Sequence, residues 1–362
     1  YWAPRTISKA GSSDPRERDH PTSNHHPGTV VVMDIQNLHR HRIIALVLCM
    51  AAATAVAVDY EVGEGAGMLG SIGDVPWEGL QPGDRVLIHW RSTPYREKWV
   101  LCRQGTAAQP IVVSGVPGPS GQLPVIDGRD ATTRLALDYW NESRGVLKIG
   151  GANIPSDTLP SHIVIENLDI RSGRPPYSFT NADNDLEAYS SNAAAIYVEK
   201  AEHLVIRNCV LSDSGNGLFI GSFNGQTRDI LIDGNSIHGN GIEGSAYEHN
   251  TYTSAIGITY QRNHMGRLRE NCDGNNLKDR SAGLVVRYNW IEDGNRQLDL
   301  VDAAVGSAVA THPGYRSTFV YGNVLVEADL QGNSQIAHYG GDSGATGGYR
   351  KGTLHFFHNT LV

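Results

Sequence analysis

Between His249 and Asp302 the chain carries three short runs, HNTYTS, NNLKDR and QLDLVD, that are richer in polar groups than a plain strand needs. They supply Asn250, Tyr252, Asn276, Lys278, Arg280, Gln297 and Asp299. An amine and a phenol can exchange protons, a guanidinium can grip an anion, and carboxamides can hold hydroxyls or carboxylates. His249 adds an imidazole, the side chain that ordinarily titrates near neutral pH. The loop NHMGRLRENCDG places Arg267 and Arg269 just upstream of Lys278, where they could gather an anionic ligand. Glu292, Asp293, Asp299 and Asp302 are hard oxygen donors of the kind calcium takes, although spacing alone does not bring them together.

Such groups cooperate only if elements hold them on one face. Side chains alternate along a strand, so inward Leu277 leaves Asn276, Lys278 and Arg280 pointing out. Inward Leu298 and Leu300 likewise leave Gln297, Asp299 and Val301 outside. HNTYTS has no aliphatic residue to fix its parity; Thr251 and Thr253 are taken as inward, with Asn250 and Tyr252 outward. With strands stacked about 4.8 Å apart, Tyr252, Lys278 and Asp299 make one column. Asn250, Asn276 and Gln297 make a second.

Each residue also has an ordinary explanation. Outward lysines on strands are commonly solvated edge residues, and a tyrosine can simply be a packed ring. His249 fits a hydrogen-bonded turn, and loop arginines such as Arg267 and Arg269 are commonly solvated. Their clustering is what sets them apart.

The stacking elements are visible as two alternating strand series. One ends near an asparagine: IVIEN at Asn167, LVIRN at Asn208, ILIDGN at Asn235, ITYQRN at Asn263, LVVRYN at Asn289, TFVYGN at Asn323 and LHFFHN at Asn359. The second lies between these: LKIG, AIYVE, GLFIGS, HNTYTS, NNLKDR, QLDLVD and QIAHYG. Two alternating series joined by loops of uneven length describe an all-β, right-handed parallel β-helix whose loops wall a cleft. Asparagines repeated at one corner can stack their amides along the axis. Neither the hairpin turns of a jelly roll nor propeller blade signatures are evident.

Composition agrees. The 362 residues include 41 glycines, 40% hydrophobic and only 19% charged residues, a turn-rich β profile. A net charge of −8 argues against a nucleic-acid partner. No CxxC occurs among Cys49, Cys102, Cys209 and Cys272, so buried free thiols are expected, with Cys209 packed inside a coil. Residues 1–32 read as a disordered leader and 33–57 as a signal peptide: a basic start at Met33, an apolar run, and Ala55-Val56-Ala57 for cleavage. Residues 58–362 form a single solenoid domain. It ends in LHFFHNTLV, inside a strand pattern, so a truncated C-terminus is expected. A secreted or periplasmic monomer with no membrane contact after processing is the expected state.

The asparagine-marked coils and the entrance GDRV, PIVVSG and VIDG resemble the pectate-lyase-like right-handed β-helix superfamily over roughly 75–362. Within it, HNTYTS with NNLKDR is most similar to bacterial polysaccharide lyases of the alginate type. That resemblance implies β-elimination from an acidic, uronate-containing glycan. Lys278 would take the C5 proton and Tyr252 would protonate the leaving oxygen, or serve both transfers. Arg280, Asn250 and Asn276 would neutralise the carboxylate, with His249 as a further catalytic group. Arg267, Arg269 and Asp299 would bind substrate. Asp299 beside Lys278 complicates the base role, because it favours the ammonium. No cofactor is required, and calcium is the one metal considered. The alternatives are a glycoside hydrolase using paired carboxylates, Asp299 with Asp302 or Asp273 with Asp279, and a glycan-binding solenoid without catalysis.

Expressed from Met33 in a bacterium, the protein should be cut near Ala57 and leave the cytoplasm. Exported or membrane-bound material that N-terminal sequencing finds still beginning at Met33 would contradict cleavage.

Overall fold

The computed structural model describes residues 56–328 and 332–362. The leader, most of the signal segment and Cys49 lie outside the described residues. From Glu97 to Leu361 the chain makes eight successive turns that feed three sheets, parallel throughout except for the hairpin of Ser178–Thr180 with Leu186–Ala188 in the third. The first sheet runs from Asp59–Val62 to Thr353–Phe357 and contains the asparagine-terminated series. The second, from Val125–Asp127 to Thr360–Leu361, is built of strands of two or three residues that follow the asparagines. The third carries the second series, including Thr251–Thr253, Leu277–Asp279, Leu298–Leu300 and Ala337–Tyr339. This is the right-handed parallel β-helix read from the sequence, with a third sheet that the two-series pattern did not show.

Apolar alternation builds the core. Ile165, Ile206, Ile232, Tyr260, Val286 and Val320 pair in register through consecutive first-sheet strands, and all are fully buried. Each aliphatic member contributes roughly 1.5–3 kcal/mol of burial free energy. Cys209 is buried in the same core, and Cys102, Cys209 and Cys272 are free thiols, the last only partly buried.

The corner after the first sheet must turn the backbone and still satisfy its amides. In seven of the eight turns the residue just past the strand adopts positive φ: Asn167, Asn208, Gly234, Arg262, Tyr288, Gly322 and His358. The next residue points inward. There Asn235 Nδ2 donates to Asn263 Oδ1 at 3.0 Å, Asn263 to Asn289 at 2.9 Å, Asn289 to Asn323 at 2.9 Å and Asn323 to Asn359 at 2.9 Å. Each Oδ1 also accepts the backbone N–H of the preceding rung. Two of the seven marked asparagines are therefore corrected. Asn167 and Asn208 hold the outward, left-handed position, which asparagine tolerates, while Leu168 and Cys209 fill the inward one.

Asn263→Ala should lower unfolding free energy by about 1–3 kcal/mol, because it strips buried amide partners. Asn208→Gly should stay within about 0.5 kcal/mol. Denaturant melts in which both variants lose equally would contradict this division.

Candidate active site

Parallel pairing sets one outward column on the third sheet. Lys148 pairs with Tyr197, Tyr197 with Phe219, Phe219 with Tyr252, Tyr252 with Lys278, Lys278 with Asp299 and Asp299 with His338. Thr251 and Thr253 are buried while Tyr252 is half-buried, so the strand takes the parity assumed for HNTYTS. The upper part of the column is aromatic, with Tyr197 and Phe219 stacked at 4.8 Å. The lower part is ionic.

Lys278 Nζ donates to Asp299 Oδ2 at 2.8 Å and to Asp342 Oδ2 at 2.6 Å. Arg280 Nε donates to Tyr252 Oη at 3.0 Å, and its Nη2 donates to Asp342 Oδ1 and Oδ2 at 3.0 and 3.2 Å. Its Nη1 reaches the Asp302 carbonyl and the Asp302 carboxylate. Asp299 also accepts from Asn275 Nδ2 at 2.9 Å and bonds His338 Nδ1 at 2.8 Å. Burial alone would raise both carboxyls. Lys278 and its neighbours outweigh it, holding Asp299 below the ordinary carboxylate range and Asp342 at about 2.

His249 is 1% exposed, and its ring meets Tyr252 edge-on at 5.5 Å. Its Nδ1 accepts the Asn275 N–H at 2.9 Å, which leaves the proton of a neutral ring on Nε2. Burial, followed by the charges of Lys278 and Arg280, pushes it down to about 3.

Tyr252, Lys278, Arg280, His249 and Asp299 thus come together, and four other assignments are corrected. Asn250 and Asn276 are fully buried and form an internal ladder from Asn240 to Gln297, with Asn250 Nδ2 to Asn276 Oδ1 at 2.6 Å and Asn276 Nδ2 to Gln297 Oε1 at 2.7 Å. The strands are only three residues long, so the residue before each lies at a corner and outward alternation does not extend to it. Arg267 and Arg269 line a different pocket, of about 390 Å³, with Asp273 and Asp293. Arg267 lies 3.8 Å from Asp293, and Arg269 Nη2 donates to Gly241 O at 2.7 Å.

The carboxylates considered for calcium also separate. Glu292 bonds His264 and Trp290, Asp293 faces Arg267, Asp299 faces Lys278, and Asp302 faces Arg280. Among the described residues no metal-holding cluster forms. The paired-carboxylate alternative loses Asp279, which is buried inside the coil against Arg350 at 3.2 Å. Asp299 and Asp342, both depressed, are poor proton donors where hydrolysis needs a carboxylic acid.

Three site residues escaped the sequence reading. His338 lies in QIAHYG, a run already placed in the second series, so carrying the register one strand further would have found it. Asn275 sits inside NNLKDR, where the corner hid its direction. Asp342 stands in GGDSGATGG, which has no periodicity to follow.

No protein-family model and no curated protein matches the chain. In structure it is similar to an alginate lyase from Paenibacillus sp. str. FPU-7, at 13% identity over 78% of this chain and 94% of that one, with a TM-score of 0.41. It is also similar to a pectin methylesterase from Erwinia chrysanthemi (11% identity, 86% and 90%, TM-score 0.40). A third likeness is to a GH136 lacto-N-biosidase from Eubacterium ramulus (12% identity, 84% and 67%, TM-score 0.39). Likeness at this level carries nothing about chemistry, which has to come from the side chains.

A folded value of about 3 against an ordinary 6.5 gives the sign for His249. The unfolded chain takes up this proton first, so native stability falls as pH drops from about 6.5 towards 3. NMR of the His249 ring should show no titration from pH 8 down to about pH 4. A midpoint near 6.5 would contradict the buried neutral ring.

Proposed function

We propose that the third-sheet face is the active site of a polysaccharide lyase acting by β-elimination on an acidic, uronate-containing glycan, with alginate-like polymers as the best candidates. One observation carries this reading: a phenol, an ammonium and a guanidinium share a single partly exposed face, with Arg280 bridging Tyr252 and the carboxylate that also holds Lys278.

The roles differ from those implied by the resemblance alone. Lys278 Nζ already donates to two carboxylates, and we read it as the proton donor rather than the base. Tyr252 Oη, acting as the phenolate after its own proton has passed to solvent, then takes the C5 proton, and after product release Tyr252 returns a proton to solvent while Lys278 regains one. Arg280, donating to that oxygen, stabilises the negative charge it would carry as the attacking base. The C5–H electrons form the C4–C5 double bond, the C4–O4 bond breaks, and Lys278 delivers its proton to O4. The Arg280 fork neutralises the sugar carboxylate, which makes C5 acidic enough to lose its proton. His249 Nε2–H is a neutral donor beside Tyr252, suited to the same carboxylate. Phe219, half-buried and edge-on to Tyr252 at 5.6 Å, extends the face with apolar ring surface beside which a neighbouring sugar can pack, while Tyr197 is buried behind it. A polymeric substrate also fits the export signal read at Met33–Ala57.

An acidic polysaccharide panel with ultraviolet detection tests this directly, because elimination creates an absorbing unsaturated sugar and hydrolysis creates only reducing ends. On the active polymer, Lys278→Ala and Tyr252→Phe should each lower turnover by roughly 10²–10⁴. The double variant should be little worse than either, since groups acting as a unit are not additive. Lys278→Arg keeps the charge but not a readily transferred proton, so turnover should stay low. Near-wild-type turnover in Lys278→Ala would remove it from the reaction.

A further inference from the structure

The strand Ala337–Tyr339 is followed by a loop that folds back over the ionic end of the column. Five of the nine residues 340–348 are glycine, and Gly340 and Gly344 stand at φ of 150° and 78°. The loop is tied at its base: Gly340 N–H donates to Leu300 O at 3.0 Å, and Arg350 N–H donates to Gly340 O at 2.7 Å. Its apex, from Asp342 to Gly347, is exposed. At that apex Asp342 N–H donates to Asp302 Oδ1 at 3.0 Å, and the Asp342 carboxylate lies across Lys278 Nζ and Arg280 Nη2.

A carboxylate held by the Arg280 guanidinium is what the proposed reaction requires of its substrate, and Asp342 takes that guanidinium together with the Lys278 ammonium. We propose that Asp342 occupies the seat of the sugar carboxylate and yields it to an incoming uronate, making it a specificity-determining residue of this site. Resting on the reading of this face as a uronate site, it holds whichever group moves the proton.

Charge balance shows why exchange is required. Lys278, Arg280 and Arg296 face Asp299, Asp302 and Asp342, three cations against three carboxylates. A uronate added to the occupied site would be a fourth carboxylate. A uronate that replaces Asp342 restores the balance, and neither cation loses its other partners: Lys278 keeps Asp299, and Arg280 keeps Tyr252 and Asp302. The Asp342 side chain is 34% exposed, so solvent and an incoming carboxylate can reach its ion pairs. Asp342 N–H and Ser343 Oγ tie the apex backbone to the Asp302 carboxylate, so the exchange needs only rotation of the Asp342 side chain away from the two cations. A neutral sugar has no group to take the seat and leaves Asp342 in place.

The test is calorimetric titration of the full chain with glucuronate, with glucose and sulfate as controls, in wild type and Asp342→Asn. Two partly exposed pairs set the scale, and glucuronate affinity should rise on the order of tenfold in Asp342→Asn. Glucose should not change, and the gain should vanish when Arg280→Gln is added. KM for the acidic polymer should fall. Asp342→Ala, checked for folding by circular dichroism, should behave as Asp342→Asn does. Unchanged or weaker glucuronate binding in a folded variant would overturn the proposal. So would an equal gain for sulfate, or lost turnover at unchanged KM, which would mark Asp342 as a positioning partner of Lys278. If no polymer yields unsaturated product but Asp342→Asn binds glucuronate more tightly, elimination falls and the seat remains.

Discussion

The structure depends on satisfying backbone amides at corners that recur every turn. Asn235, Asn263, Asn289 and Asn323 each donate Nδ2–H to the next carboxamide, and each Oδ1 from Asn263 to Asn359 accepts a backbone N–H of the rung before. A buried N–H left without such a partner costs about 1–3 kcal/mol. Slipping one coil by a residue would break the ladder and turn its core side chains outward. The second ladder, through Asn250, Asn276 and Gln297, imposes the same register where the chain enters the third sheet. That register aligns Tyr252, Lys278, Asp299 and His338 into a single column.

Beneath the column lies a buried polar layer that fixes its direction. Asp279, inward and between Lys278 and Arg280 in sequence, accepts from Thr253 Oγ1 at 2.8 Å and from Ser281 Oγ at 2.7 Å, and pairs with Arg350. Removing one partner of a buried pair of this kind costs about 3–5 kcal/mol, because the other charge is left uncompensated. Arg350 also donates to Val301 O at 3.2 Å. One side chain therefore couples the strand bearing Lys278, the strand that follows it, and the end of the loop bearing Asp342.

The outer face is strongly charged yet nearly neutral in sum. Its cations are shared among carboxylates, and Arg280 still donates its Nε–H to Tyr252 Oη. His249 escapes charging because it is enclosed and already faces two cations. The site thus offers a neutral donor, a charged donor and a phenol within neighbouring rungs. This is a set suited to stabilising charge that appears on a substrate rather than to supplying a carboxylic acid.

How much of this was legible follows from the length of the signals. Periodic apolar runs five or six residues long, such as those ending at Asn263 and Asn289, determined the solenoid and the alternation of two strand series, because alternate residues must face a common core. The same rule placed Lys278 and Asp299 in one column, since Leu277 and Leu298 fix the parity of their strands, whereas Tyr252 joined them on an assumed parity that the burial of Thr251 and Thr253 bears out. Second-sheet strands such as His264–Met265 are too short to show a period, so that sheet was invisible. Asn250 and Asn276 were misjudged because alternation ends where a three-residue strand meets a corner, and backbone direction there depends on neighbouring coils. Arg267 and Arg269 are near Lys278 in sequence, yet the loop carries them to a separate pocket. Asp342 is 64 residues from Lys278 along the chain and still its direct partner. Local pattern determined which residues face outward from a strand. Only the stacking of distant turns decided which charges meet.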